Sequence, residues 1–215
     1  NGRNGAPVFT CRAGCSQGSV LDVLRSRGLW AEERETRPTQ RPKPTLCSVP
    51  PDASEPDFST VLKATPSMTW TYHNITGSVV GYVARIDKPN GRKTVLPVSW
   101  DGVRWINRAF SEPRPLYNLP AISAEPKKPI LVVEGEKAAD AGRELVTTHI
   151  VTTWPGGSGA VEKVDWSPLD GRDVVLWPDN DDPGRKAMRA VADRLINART
   201  LRGVKLTCAK RAWTG

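Results

Sequence analysis

The sequence has little cysteine and no long apolar segment. Its four cysteines, Cys11, Cys15, Cys47 and Cys208, are too few and too scattered for the disulfide framework of a small secreted protein. No run of about 18 apolar residues occurs, and the first residues lack the basic-then-apolar order of a signal peptide. We therefore expect a cytoplasmic protein that has no membrane partner.

Histidine is scarce, and the P-loop of nucleotide-hydrolysing motors is missing. The two histidines, His73 and His149, stand apart from any metal-ligand spacing. The glycine-rich segment WPGGSGA, residues 154–160, lacks the Lys-Ser or Lys-Thr ending of a P-loop, so it does not predict a helicase motor. Its glycines fit either a close approach to a phosphate or a plain flexible turn.

Basic residues exceed acidic ones, which favours a polyanionic partner. The 31 Lys and Arg against 23 Asp and Glu give a net charge of +8. Nucleic acid is the partner that this charge suits, although solvated surface Lys and Arg would give the same balance.

The sequence contains eight Trp but only three Phe and three Tyr. Trp70, Tyr72, Trp100 and Trp105 fall in β-type segments, where they could stack on nucleic-acid bases. Packing within and between strands is the favoured interpretation, because aromatic residues are common in strands of any function.

The pattern of apolar residues divides the chain into four parts. Residues 1–30 contain an amphipathic helix, with Ser16 as its predicted N-cap and Gly28 as its predicted end. Residues 31–64 are rich in Pro and charge and predict a linker. Residues 65–120 predict an antiparallel meander, and residues 121–215 alternate apolar strands with helices, which is typical of a buried parallel sheet.

Acidic residues follow two of the predicted parallel strands. Glu134 ends the strand PILVV and precedes Gly135, and Asp179, Asp181 and Asp182 follow the strand DVVLW. Because ligands bind at the carboxyl ends of parallel strands, these acids should meet at one sheet edge. Carboxylates there suit Mg²⁺ or Mn²⁺, but the same residue types are also ordinary turn and cap residues.

The two acidic loops together resemble the Toprim domain. That domain occurs in bacterial and phage primases, topoisomerases and some nucleases, and its signature is a strand-end Glu-Gly followed by an Asp-x-Asp after a later strand. The segments EGEK and DNDDPG match both parts in order. The resemblance implies that Glu134 is a catalytic acid/base and that Asp179 and Asp181 hold the metal. Glu136 and Asp182 are secondary metal-ligand candidates.

Three basic residues lie next to the acidic loops. Lys137, Arg185 and Lys186 stand near the predicted helix starts. They could contact a nucleotide triphosphate or template phosphates, or they could be solvated helix residues.

The segment CRAGCS and the helix after it resemble the second half of the zinc-binding module of phage and plasmid primases. Cys11 and Cys15 could supply two of the four ligands that Zn²⁺ requires. The preceding residues contain no Cys or His, so the resemblance implies a zinc site with an incomplete ligand set, or a knuckle without metal.

The predicted fold class is α/β: a Toprim-like parallel sheet flanked by helices, preceded by a small antiparallel region and a partial zinc-ribbon-like segment. The resemblance implies a DNA primase fragment, a nucleotidyltransferase that makes short primers from nucleoside triphosphates on single-stranded DNA during phage, plasmid or mobile-element replication, with a replicative helicase as a possible partner. A Toprim nuclease or topoisomerase-like enzyme and a non-catalytic DNA-binding module are the alternatives.

Overall fold

The computed structural model describes residues 13–27, 48–197 and 204–206. The chain divides into two units, Asn1–Lys43 and Pro44–Gly215, and each is described by itself. Within the described residues, every helix is too short or too polar to span a membrane.

The first unit contains one described helix, α1, at Gln17–Ser26. Ser16 precedes it in an extended conformation, and its hydroxyl accepts a hydrogen bond from the backbone N–H of Ser19 at 3.2 Å. The N-cap prediction is therefore confirmed. Cys15 is an exposed free thiol, whereas the predicted helix end at Gly28 and the predicted zinc ligand Cys11 lie outside the described residues.

The second unit contains a four-stranded antiparallel sheet. Its strands are β1 (Met68–His73), β2 (Val79–Asp87), β3 (Lys93–Trp100) and β4 (Trp105–Asn107). They lie in sequence order, each antiparallel to its neighbour. The predicted meander is confirmed, because short connections between successive strands leave each strand next to the one that follows.

The outer face of this sheet is covered by a segment that the sequence assigned to a linker. Helix α2 (Phe58–Leu62) packs its Leu62 against Tyr82 and Trp105. The indole N–H of Trp105 also donates to the carbonyl of Ser54 at 2.8 Å. The linker boundary at residue 64 stays a prediction, but a helix within that Pro-rich stretch covers a sheet face with a few well-placed apolar residues.

The parallel sheet follows. Its strands and helices are α3 (Leu119–Ala124), β5 (Ile130–Val133), α4 (Glu136–Leu145), β6 (Ile150–Thr152), β7 (Val174–Trp177), α5 (Asp182–Asn197) and β8 (Val204–Leu206), with two short 3-10 helices at Ser158–Lys163 and Ser167–Leu169. The strand order is β6-β5-β7-β8, and every neighbouring pair is parallel. The α/β prediction is confirmed.

Strand β5 is buried on both faces. Ile130 and Val132 join a core cluster with residues of α5, such as Val191. Leu131 and Val133 point the other way and join a cluster with Tyr72 of β1. This period-2 alternation places α5 on one side of the parallel sheet and the antiparallel sheet on the other.

The aromatic residues of the antiparallel sheet serve packing. Trp70, Tyr72 and Trp105 are buried, and the Trp100 ring meets the Trp105 ring edge to face at 5.2 Å between centroids. The packing interpretation is therefore confirmed for these residues, since buried rings are not exposed to stack on a base.

A substitution at Gly81 in β2 tests how closely this sheet is packed. A Cβ there would lie 2.5 Å from the carbonyl oxygen of Val98 and 2.6 Å from the ring of Phe110. We expect Gly81→Ala to lower the free energy of unfolding by about 1 to 3 kcal/mol, because the neighbouring backbone must shift. Chemical denaturation measures this change.

Gly159→Ala is the matched control, since a Cβ at Gly159 would meet no heavy atom within 4 Å. Equal unfolding free energies for the two variants would contradict the close approach at Gly81.

Candidate functional site

The acidic residues of the two loops meet at the carboxyl-terminal edge of the parallel sheet. Val133 of β5 pairs with Trp177 of β7. The chain therefore leaves both strands at the same level, with Glu134 directly after β5 and the Asp179–Asp182 loop after β7.

The turn after β5 is fixed by Gly135. Its φ of 80° lies in a region that favours glycine, and its N–H donates to the hydroxyl of Thr153 at 2.9 Å. This arrangement lets α4 begin at Glu136 while the side chain of Glu134 stays at the sheet edge.

Glu134, Asp179 and Asp181 gather around Gly184 in the first turn of α5. The N–H of Asp179 donates to Oε1 of Glu134 at 3.1 Å, and the N–H of Gly184 donates to Oδ1 of Asp181 at 2.7 Å. A Cβ built at Gly184 would lie 2.4 Å from Oε1 of Glu134, 2.9 Å from Oδ1 of Asp181 and 3.1 Å from Cβ of Asp179. Glu134 and the two acids of a loop 45 residues further along the chain therefore surround one small space.

The environment raises the pKa of two of these acids. Partial burial is the main cause for Glu134, and the charges of Asp179 and Asp181 add to it. For Asp179 the causes are again partial burial and then Asp181, while the positive charge of Lys93 acts in the opposite direction. The ionised forms of both carboxyl groups are therefore less favourable here than in water, mainly because of burial.

The donor set fits a hard divalent cation. Within the described ranges, no three His, Cys, Asp or Glu side chains are grouped as a ready-made metal site. Mg²⁺ does not require such a group, because it keeps several water ligands and is commonly bound by one or two carboxylates together with substrate phosphates. Carboxylate oxygens of Glu134, Asp179 and Asp181 are the available ligands.

The other two predicted metal ligands have different partners. Glu136 is buried, its pKa is raised by that burial, and its Oε1 accepts a hydrogen bond from the hydroxyl of Tyr72 at 2.8 Å. Asp182 is exposed and pairs with the guanidinium of Arg185 at 2.5 Å. Their role as metal ligands stays a prediction, but the structure does not bring them into the group at Gly184.

The predicted basic contacts lie around the acidic group. Arg185 also donates to the side chain of Asn180 at 3.3 Å. Lys186 is exposed and lines a surface depression beside the 3-10 helix Ser158–Lys163. Lys137 is exposed, and its charge adds to the hydrogen bonds from Arg85 and Ser67 that mainly lower the pKa of Asp87 in β2.

A cleft of about 370 Å³ opens beside the acidic group. One wall is apolar and comes from Val83, Pro97 and Phe110, whereas Glu134 and Asp179 line its other side. This volume is within the range of small-molecule pockets.

The sequence did not indicate three residues of this region. Arg114 and Lys93 line the cleft, and Thr153 holds the turn at Gly135. Arg114 sits between two prolines in a segment that resembled a simple connection, and only the fold shows that this connection passes the glycine-rich loop.

No protein-family model matches the sequence, and no curated protein matches it.

The solved structures that are similar to this chain include DNA primase fragments. A bacteriophage T7 structure, in which the lagging-strand DNA polymerase interacts with gp4 primase domains bound to an RNA/DNA hybrid and dTTP, has a TM-score of 0.46 at 19% identity over 67% of each chain. The zinc-binding and RNA polymerase domains of the Aquifex aeolicus primase have a TM-score of 0.46 at 18% identity, over 90% of this chain and 44% of that one. The DnaG catalytic core has a TM-score of 0.43 at 20% identity, over 66% and 45%.

The chain spans less than half of the Aquifex and DnaG chains. With identities and TM-scores this low, the likenesses assign no residue and no activity to this chain.

The hydrogen bond between Tyr72 and Glu136 has a measurable contribution to stability. We expect Tyr72→Phe to lower the free energy of unfolding by about 1 to 3 kcal/mol, because a buried carboxylate loses a donor. Denaturant titration measures the loss, and a double-mutant cycle with Glu136→Gln should show that the two changes are not additive.

Tyr82→Phe is the control, since it removes a tyrosine hydroxyl from the opposite face of the same sheet. A cycle in which Tyr72→Phe and Glu136→Gln add independently would show that the hydrogen bond contributes nothing.

Proposed function

We propose that this chain carries out divalent-metal-dependent nucleotidyl transfer at the sheet edge formed by β5 and β7. The observation that supports this most directly is the gathering of Glu134, Asp179 and Asp181 around Gly184, beside a cleft that could hold a small molecule. Carboxylates in this position are suited to phosphoryl chemistry, in which a cation and positioned acids act on negatively charged oxygens.

In this proposal Asp179 and Asp181 hold Mg²⁺ or Mn²⁺, which when bound neutralises charge on phosphate oxygens. Glu134 takes or returns a proton as general acid/base, and its raised pKa suits that role. The N–H of Asp179 orients the Glu134 carboxylate, and Thr153 holds the turn beside it.

The finer proposal is primer synthesis. The reaction would join nucleoside triphosphates into a short RNA or DNA strand on a single-stranded DNA template, as a primase does in phage, plasmid or mobile-element replication. The net charge of +8 suits the template, and a replicative helicase would be a partner. The Toprim identity of the parallel sheet and a zinc role for Cys11 and Cys15 belong to the same proposal.

Glu134→Gln tests the reaction. With single-stranded DNA, labelled nucleoside triphosphates and Mg²⁺ or Mn²⁺, we expect the 215-residue chain to make short products. We expect the variant to make them about two to four orders of magnitude more slowly, because it lacks the acid/base group. Gel separation of the products measures the rate.

Asp179→Ala with Asp181→Ala tests the metal site. Calorimetric titration with Mn²⁺ should show binding by the wild type and its loss in the double variant, while affinity for single-stranded DNA stays unchanged. Asp193→Asn, at an exposed carboxylate further along α5, is the control. Full Mn²⁺ binding by the double variant would place the metal elsewhere, and cleavage of the template instead of synthesis would favour the nuclease alternative.

Gly184→Ala tests the geometry without removing any acid. Its Cβ would occupy the space between the side chains of the three acids, so we expect Mn²⁺ affinity to fall at least about tenfold. Alanine favours helix over glycine, so the thermal unfolding temperature should not drop in parallel. Unchanged Mn²⁺ affinity would show that the cation does not bind in this space.

A further inference from the structure

Arg114 lines the cleft with a side chain that is largely buried. Its side chain is only 11% exposed. Its Nη1 donates to the carbonyl of Pro155 at a long 3.4 Å, and its nearest acid is Glu112 at 3.9 Å. Its buried Nε has no hydrogen-bond partner among the described residues. A buried donor without an acceptor is energetically costly, so the guanidinium is only weakly satisfied by its own chain.

The backbone of Arg114 is held in place. Its N–H donates to the carbonyl of Lys163 at 2.7 Å, and its carbonyl accepts from Asp165 N–H at 2.9 Å. These bonds tie Arg114 to the end of the 3-10 helix Ser158–Lys163. The guanidinium therefore enters the cleft from a fixed support, unlike a surface arginine that samples many rotamers.

The glycine-rich loop is shaped to admit this guanidinium. A Cβ at Gly156 would lie 2.5 Å from Nη1 of Arg114. The following Gly157 has a φ of 70°, and its carbonyl accepts from the indole N–H of Trp154 at 2.9 Å. The absence of a side chain at Gly156 therefore serves the close packing of the arginine, an interpretation beyond the two that the sequence left open for this loop.

The lining of the cleft is of three kinds: basic and loop residues, acidic residues, and apolar residues. Arg114, Gly157 and Ser158 belong to the first kind, and Glu134 and Asp179 belong to the second. The apolar wall of Val83, Pro97 and Phe110 completes it. A ligand that matches all three carries phosphate oxygens and a flat apolar ring.

We propose that Arg114 binds phosphate oxygens of a nucleoside triphosphate in this cleft, with the base or sugar against the apolar wall. The guanidinium fork matches phosphate geometry, and the contacts that its Nη1 and Nη2 make within the chain are long, at 3.4 and 3.9 Å. The inference deepens the proposed function and rests on it for the identity of the nucleotide. Phosphates of a nucleic-acid strand have the same chemistry, so the experiment separates the two sources.

The probes are ATP, inorganic tripolyphosphate and a single-stranded oligodeoxynucleotide, each titrated with Mg²⁺ into the 215-residue chain. We expect Arg114→Gln to bind ATP and tripolyphosphate at least about tenfold more weakly than the wild type, with oligonucleotide affinity unchanged. Arg189→Gln, which removes an exposed arginine from α5, should leave all three affinities within about twofold.

Arg114→Lys keeps the charge and loses the fork, and it covers the case in which Arg114→Gln fails to fold. A folded Arg114→Lys should still bind tripolyphosphate several-fold more weakly than the wild type. Wild-type affinity for tripolyphosphate in both folded variants overturns the proposal. Loss of oligonucleotide binding alone also overturns it, because the phosphate ligand would then be the strand.

The two proposals can fail separately. Arg114-dependent tripolyphosphate binding by a chain that makes no primer would leave the phosphate site standing and remove the primase assignment. Primer synthesis by Arg114→Gln with an unchanged KM for nucleotides would support the primase assignment and remove the phosphate site at Arg114.

Discussion

Two hydrogen bonds between β1 and α4 join the antiparallel sheet to the parallel sheet. The indole of Trp70 donates to Asp140 at 2.8 Å, and the hydroxyl of Tyr72 donates to Glu136 at 2.8 Å. Residues two apart in a strand are separated by about 6.6 Å, and residues four apart in a helix by about 6 Å. The spacings match when strand and helix run in opposite directions, so both bonds form together and fix one relative position of the two elements.

This joint determines the shape of the cleft. Strands β2 and β3 belong to the same sheet as β1, and their Val83 and Lys93 line the cleft together with Glu134. Tyr117 donates to the same Asp140 at 3.0 Å, so the connection that contains Arg114 is tied to the joint as well. The aromatic residues thus contribute to the site as supports, and the charged residues are the ones to which the proposed function gives chemical roles.

Periodicity and turn residues were enough to predict both sheets. A continuous apolar run indicates a strand that is buried on both faces, and an alternating run indicates a strand that is buried on one face. The acidic edge was predictable too, since Glu134 and Asp179 each come within two residues of the end of a strand and parallel strands end together. The partners of Glu136 and Arg114 were not predictable. Tyr72 is 64 residues from Glu136, and Pro155 is 41 residues from Arg114. A local sequence pattern does not indicate which backbone group or aromatic ring, distant in the chain, a side chain will contact. The same limit applies to helix α2 in the predicted linker, because its few apolar residues can be interpreted only together with the sheet face that they cover.

Arg172 lies at the opposite end of the parallel sheet, where its guanidinium donates to the carbonyls of Ile122, Glu125 and Lys128. It thereby ties the segment that leads into β5 to the segment that leads into β7. From this common start, both strands run for four residues before reaching their acids. A deletion of one residue in either strand would draw one acid back by about 3.3 Å and turn it to the other face of the sheet. The relative position of the Glu134 and Asp179 carboxylates, which are 45 residues apart in the chain, thus depends on two short strands of equal length.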